Sequence, residues 1–181
     1  GFKIYGNIIV NPEGSGISSN NKDLVEVYNN VVCGGDFGLR FAVLDAPLTA
    51  RVCNNIIVDP QYFAFLVDAD PNVAWNEVSW DHNIYWSSLG QTIRVQTART
   101  GRLSFVLHQD ALGWDTNSIV ADPRFVSSLR LLPEDFKLQA GSPAIDAGED
   151  VGLSRDFEGN PVPWGTAPDI GAYEYTGPMA P

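Results

Sequence analysis

The sequence predicts an all-β fold, a parallel β-helix solenoid of about four to five coils closed by an irregular C-terminal cap. A repeat, a composition and the shape of each repeat carry that prediction. Asn7, Asn30, Asn55 and Asn83 each precede a short apolar triplet (IIV, VVC, IIV and IYW) at spacings of 23, 25 and 28 residues. A fixed motif recurring every 20 to 30 residues, roughly, is the mark of stacked repeats. The chain of 181 residues is 44% apolar but only 18% charged, with 17 Gly and 12 Pro. That balance suits a folded domain with many turns and little helix. Finally, each period holds three strand-like pieces and no helical pattern between them.

Taken in order, the first strand of each period precedes the Asn: FKIY, LVEVY, ARVC and EVSW. The apolar triplet is the second. The third follows a turn written NPEG, GGD, DPQ or SSLG, and reads GISS, FGLRFAV, YFAFLV and TIRVQT. Leucine-rich repeats carry a Leu/Asn consensus that is absent here, and a sandwich shows hairpins without a superimposable period. The repeated Asn is expected to turn the chain, since Asn tolerates the left-handed region better than any residue but Gly. Stacked coils then align the amides into a hydrogen-bonded ladder.

Net charge is −11 and the isoelectric point is near 4.3. An acidic surface argues against a duplex nucleic-acid partner, which needs a basic face. No apolar run approaches the roughly 20 residues of a membrane span. Cys33 and Cys53 make no disulfide framework and fit no zinc spacing, so both are expected as half-buried thiols. The opening GFKIYGNIIV lies already inside a strand pattern, as in a processed chain or a piece of a longer one.

The tail reads SIVADPRFV, DFKLQAGSPAIDAG, RDFEGNPVP and APDIGAYEY. This closing pattern, with the Asn-turn repeat, resembles the right-handed parallel β-helix proteins of the pectate-lyase-like superfamily. The repeat covers roughly residues 1–100 and the tail roughly 117–175 of the resemblance. It implies coils over 1–116, then a last coil and capping segment over 117–181 within one domain. It also implies a secreted protein, extracellular or at the cell surface, that binds polysaccharide in a groove along one outer face. Read on its own residues, the tail is expected to cover the open end of the solenoid. Phe125, Phe136, Leu138, Ile145, Ile170 and Tyr173 would supply the apolar surface. Asp146, Asp156, Asp169 and Glu174, set among Gly and Pro, are expected to accept backbone N–H groups. A Ca²⁺ ion would find oxygens at Asp146, Asp156 and Asp169, although nothing in the sequence requires one.

Alternation sorts the side chains. Leu39, Phe41, Val43, Phe63, Phe65, Val67, Ile93 and Val95 are expected inside; Arg40, Ala42, Asp68, Thr92, Arg94 and Gln96 are expected outside. A second outward column holds Lys3, Glu26, Arg51 and Ser79, a surface charge ladder. A third holds Tyr5, Tyr28, Cys53 and Asp81. The catalytic candidates are Arg40, Asp68, Asp70 and Arg94. A lyase acting on uronic acids needs a cation on the carboxylate and a base for the α-proton. A glycosidase needs two carboxylates, for which Asp68 or Asp70 would pair with Glu77 or Asp81.

WNEVSWDHNIYW is the most aromatic and polar segment, and such mixtures suit sugars. Trp80 falls in register with Val27 and Val52 and is expected in the core. Glu77, Asp81, His82, Trp86 and Gln96 are the substrate-binding candidates. His108 is expected to be structural or on the surface. No metal-ligand set, phosphate loop or Ser-His-Asp order appears. Three functions remain open: a lyase or glycoside hydrolase; a non-catalytic module binding a glycan or a partner; or a structural β-helix whose open N-terminal end packs on a second chain or on further coils.

Overall fold

A computed structural model describes residues 1–20, 24–43, 48–69 and 75–177, without the side chains of residues 43, 48, 69 and 75–77. The readings of Asp70, of the Val43 side chain and of the Trp75 and Glu77 side chains therefore lie outside the described residues.

Each period of the sequence lays down three strands. The first gives β1 (Phe2–Tyr5), β2 (Ile8–Val10) and β3 (Ser15–Ser19); the second β4 (Val25–Tyr28), β5 (Val31–Cys33) and β6 (Phe37–Val43). The third gives β7 (Leu48–Cys53), β8 (Ile56–Val58) and β9 (Phe63–Ala69); the fourth β10 (Trp75–Asp81), β11 (Ile84–Trp86) and β12 (Arg94–Thr97). Then follow β13 (Gly101–Ser104), helix α1 (Phe105–Leu112) and β14 (Ile119–Val120). The strands form three sheets: sheet A in the order β1-β4-β7-β10, sheet B in the order β2-β5-β8-β11-β14, and sheet C in the order β3-β6-β9-β12-β13. All pairings but one are parallel. The fold is thus largely parallel β in three sheets, compatible with a β-helix-like solenoid.

The register follows from what each sheet buries. Val27, Val52 and Trp80 of sheet A, Val32, Ile57 and Tyr85 of sheet B, and Leu39, Phe65 and Val95 of sheet C share one buried cluster. Each such side chain contributes about 1.5–3 kcal/mol of apolar burial. Trp80 aligns with Val52, and Val52 with Val27, as alternation predicts. Lys3, Glu26, Arg51 and Ser79 also align. Lys3 pairs with Glu26 at 3.2 Å, whereas Arg51 turns away to Glu149 at 3.2 Å.

The Asn ladder forms, but the turning residue is its predecessor. Gly6 (φ 63°), Asn29 (52°), Asn54 (56°) and His82 (53°) take the left-handed conformation. Asn30 and its equivalents supply the ladder instead. Asn7 Nδ2 donates to Asn30 Oδ1 at 2.9 Å, Asn30 Nδ2 to Asn55 Oδ1 at 3.0 Å, and Asn55 Nδ2 to Asn83 Oδ1 at 3.0 Å. The same oxygens accept the backbone N–H of the preceding coil's Asn. Asn29 and Asn54 form a second, shorter ladder at 3.2 Å.

Residues 101–116 depart from the expected coil. Gly101 (φ 66°) reverses the chain, β13 runs antiparallel to β12, and α1 follows, ending at Gly113 (φ 68°). Phe105 and His108 turn into the core, and the Trp114 ring stacks on Trp80 at 5.6 Å. This hairpin and helix close that end of the core.

The closing segment consequently does something other than cap the end. Phe125, Phe136, Leu138, Ala144, Ile170, Ala172 and Tyr173 form a second cluster with Val31, Cys33, Ile56, Val58 and Ile84, and Ile145 packs against it. These are the sheet B residues that alternate with the inner ones, so the segment lies along the outer face of sheet B. Asn29 Nδ2 fastens it by donating to Asp169 O and Gly171 O at 3.1 and 3.0 Å. At Gly171 (φ 107°) a Cβ would stand 2.7 Å from Ile56 Cδ1, so only glycine lets the backbone lie this close. Tyr28 and Cys53, expected outside, are buried, while Tyr5 stays exposed and stacks on Tyr28 at 5.1 Å. Both cysteines are free and buried.

Candidate functional site

Sheet C carries the candidates that come together. Its strands start hard against sheet B: a Cβ on Gly38 would overlap Ile57 Cγ2 and stand 2.5 Å from Ala64 O. Leu39, Phe65 and Val95 then plug the core, and the next residues, Arg40, Leu66 and Gln96, align across β6, β9 and β12 on the outer side. Two strand spacings, about 9.5 Å, separate Arg40 from Gln96. Arg102 on β13 pairs with Gln96 in register and donates from Nε to Gln96 Oε1 at 3.3 Å. The Arg102 and Arg94 guanidinium groups sit 5.1 and 5.9 Å from the centre of the Phe63 ring. Phe63 is buried, as alternation predicts, and stacks on Phe37 at 6.0 Å.

Arg40 faces Asp68 at 3.9 Å, with 41% and 54% of the two side chains exposed. Such a pair contributes at most about 1 kcal/mol. Arg40 Nε is enclosed yet has no hydrogen-bond partner. Neither Arg94 nor Arg102 forms an ion pair among the described residues. In a chain of net charge −11, three arginines on one sheet face form a local positive surface. Chemically it can hold carboxylates or sulfates, with flat sugar faces resting on Tyr62 and Phe37, whose rings are 6.1 Å apart. No local pattern marks Arg102, because only the reversal at Gly101 returns residues 101–104 to this face.

The other candidates lie elsewhere. Asp81 and His82 form the corner between sheets A and B. Burial alone would raise the Asp81 carboxyl, but the backbone and side-chain N–H groups of Asn117, both at 2.7 Å, hold it below the ordinary range. His82 is the left-handed turn residue of its coil. Asp81 is thus a turn carboxylate rather than a partner for Asp68. Trp86 ends β11 under the Arg130 guanidinium, 5.1 Å away, and packs on the cluster beneath the closing segment.

His108 is fully buried and belongs to a polar knot at the end of the Asn ladder. Its Nε2 lies 3.2 Å from Asp115 Oδ2. Asp115 Oδ1 accepts Asn83 Nδ2, Tyr85 OH and Ser118 Oγ. Burial pushes the Asp115 carboxyl up, against those hydrogen bonds. The Ser, His and Asp are sealed from solvent, so the knot is structural.

The tail carboxylates accept backbone N–H groups. Asp146 takes Thr166 N and Ala167 N, Asp156 takes Glu158 N and Asn160 N, Glu174 takes Trp164 N and Asp169 N, and Asp169 takes Asp146 N and Tyr175 N. No group of three or more His, Cys, Asp or Glu among the described residues is arranged to hold a metal ion. No helix among them is long and apolar enough to cross a membrane.

Burial raises Asp169 to about 7, outweighing its two N–H donors, and also raises Glu174. The native state therefore keeps a proton that an unfolded Asp, with a pKa of about 3.9, gives up. Between pH 4 and 7 the unfolded state binds fewer protons, and stability falls as pH rises through that window. Chemical denaturation is expected to give a lower midpoint at pH 8 than at pH 5, with the slope flattened in Asp169→Asn. A midpoint that climbs from pH 5 to 8 would contradict the assignment.

Comparison with family models, with curated proteins and with solved structures returned no match to this chain.

Proposed function

We propose that this is a secreted right-handed parallel β-helix protein that acts on an acidic polysaccharide along the outer face of sheet C. The observation that carries the reading is the row of Arg40, Arg94 and Arg102, which spans β6, β12 and β13 beside the Phe37 and Phe63 rings. A chain of uronate residues laid across the strands would place its carboxylates against the guanidinium groups and its ring faces against Phe37 and Tyr62. The same layout favours β-elimination over hydrolysis. Elimination needs one base and a cation. Hydrolysis needs two carboxylates about 5–9.5 Å apart, and among the described residues Asp68 is the carboxylate paired with Arg40. In such a step Arg40 neutralises the uronate carboxylate and Asp68 takes the proton α to it. The C–O bond to the leaving sugar breaks as the C=C bond forms, and the leaving oxygen is protonated by water.

The test is a panel of uronic-acid polymers and neutral glycans, read by binding and by absorbance of unsaturated ends. Acidic polymers are expected to bind, more weakly as salt is raised. Arg94→Ala and Arg102→Ala should each weaken binding about tenfold, the loss of one charge-assisted contact. Asp68→Asn should abolish turnover while leaving binding in place. Binding with no turnover on any polymer would leave a glycan-binding module. Equal affinity for neutral glycans would overturn the reading altogether.

A further inference from the structure

We propose a second ligand site, independent of the sheet C face, for a sugar unit bearing a carboxylate. It is the cavity of about 390 Å³ between the end of sheet B and the closing segment. Its size falls within the about 300–1,000 Å³ of small-molecule sites. Trp86 and Phe125 make its apolar wall, and Arg124, Arg130, Gln139 and Asp122 supply polar atoms.

The wall is fixed before any ligand arrives. Arg130 lies over the Trp86 indole at 5.1 Å, and Asp59 holds Arg130 through a 2.7 Å ion pair. Phe125 is packed edge-on against Phe136 at 5.2 Å. The polar groups keep spare capacity. Arg124 donates from Nη1 to Gly141 O at 3.0 Å and forms no ion pair among the described residues, which leaves Nε and Nη2. Gln139 donates from Nε2 to Phe125 O at 2.7 Å, so its Oε1 stays an acceptor. Asp122 accepts Arg124 N on Oδ1 at 2.8 Å, and its Oδ2 has no partner among the described residues. A forked cation next to two acceptors and a flat apolar wall matches a pyranose whose carboxylate meets Arg124 and whose hydroxyls donate to Gln139 and Asp122.

Backbone strain marks the same place. Nine non-glycine residues among those described have positive φ; seven are Asn, Asp or His, types that tolerate it. The other two are Arg124 and Arg130, both at φ 52°, and both line this cavity. Turn geometry alone would be served better by Asn or Gly at either position. Strained residues of this kind persist where the side chain has a use.

Arg124→Asn separates the two demands, since it relieves the left-handed backbone and removes the guanidinium. The experiment titrates wild type and this variant with glucuronate, glucose and acetate, read by calorimetry and by Trp fluorescence, with Trp86→Phe identifying the indole that responds. Glucuronate is expected to bind wild type at least tenfold tighter than glucose or acetate. Arg124→Asn should lose at least tenfold in that affinity while keeping its melting temperature. The fluorescence change should vanish in Trp86→Phe. Unchanged glucuronate affinity in Arg124→Asn, acetate binding as tightly as glucuronate, or no binding to wild type would each overturn the site.

Discussion

Replacing Asn55 by alanine is expected to cost about 3–5 kcal/mol, a large share of the stability of a domain this size. Asn55 is fully buried at the centre of the ladder. Its Oδ1 accepts Asn30 N and Nδ2 at 3.2 and 3.0 Å. Its Nδ2 donates to Val27 O, Cys53 O and Asn83 Oδ1 at 2.9, 2.9 and 3.0 Å. Truncation strands donors and acceptors on three successive coils where water cannot replace the amide, at roughly 1–3 kcal/mol for each group left unpaired. Asn55→Asp would fare no better, because a carboxylate has no N–H for those carbonyls. Asn7 is the control. At the exposed end its side chain donates to Tyr5 O and Asn30 Oδ1, so Asn7→Ala should cost less than about 1 kcal/mol. Urea denaturation of the two variants decides the matter, and equal midpoints would show that the ladder contributes nothing beyond turn formation.

That ladder was legible because it rests on spacing alone. One amide per coil, aligned with its neighbours, follows from four Asn at near-equal intervals, and the same intervals align Lys3 with Glu26 and Trp80 with Val52. The left-handed residue was placed one position late, on Asn30 instead of Asn29. In NN pairs either residue suits either task, and only the Gly6 and His82 positions break the tie. The docking of the tail on sheet B was written in the triplets. IIV, VVC and IIV are apolar at all three positions, as in strands covered on both faces, whereas a wall with one wet face would alternate. Helix α1 was also announced, by FVLHQDAL ending at Gly113, but eight residues barely exceed two turns and the strand rhythm before them dominated the reading. The site was harder to read. Arg40, Arg94 and Gln96 came from alternation, and the structure keeps them on one face. Asp81 and His82 looked like binding residues because turn chemistry and sugar chemistry use the same polar side chains. Arg102 and the Arg124 cavity depend on a chain reversal and on a segment crossing sheet B, contacts between distant residues that no local pattern encodes.

Asp115 separates a ladder from a catalytic knot, and its two substitutions should part widely. Asp115→Ala is expected to cost about 4 kcal/mol or more. It leaves Tyr85 OH, Ser118 Oγ, Asn83 Nδ2 and His108 Nε2 without their shared acceptor in a sealed volume. It also sets alanine at φ 57°, where a Cβ-bearing residue pays about 1–2 kcal/mol unless it is Asn or Asp. Asp115→Asn keeps the left-handed residue type and an Oδ1 for Asn83, which makes position 115 one more rung of the same kind. His108 can then accept the new amide N–H on Nε2, which moves its proton to Nδ1. That nitrogen is buried with no partner, so the expected penalty is that of a single unsatisfied group, about 1–3 kcal/mol. The same exchange removes the carboxylate that faces His108. If Asp115 served catalysis, Asp115→Asn would abolish turnover on an acidic polymer while sparing the fold. As the end of the ladder, it should lower the denaturation midpoint modestly and leave polymer binding and turnover on sheet C as they are in wild type.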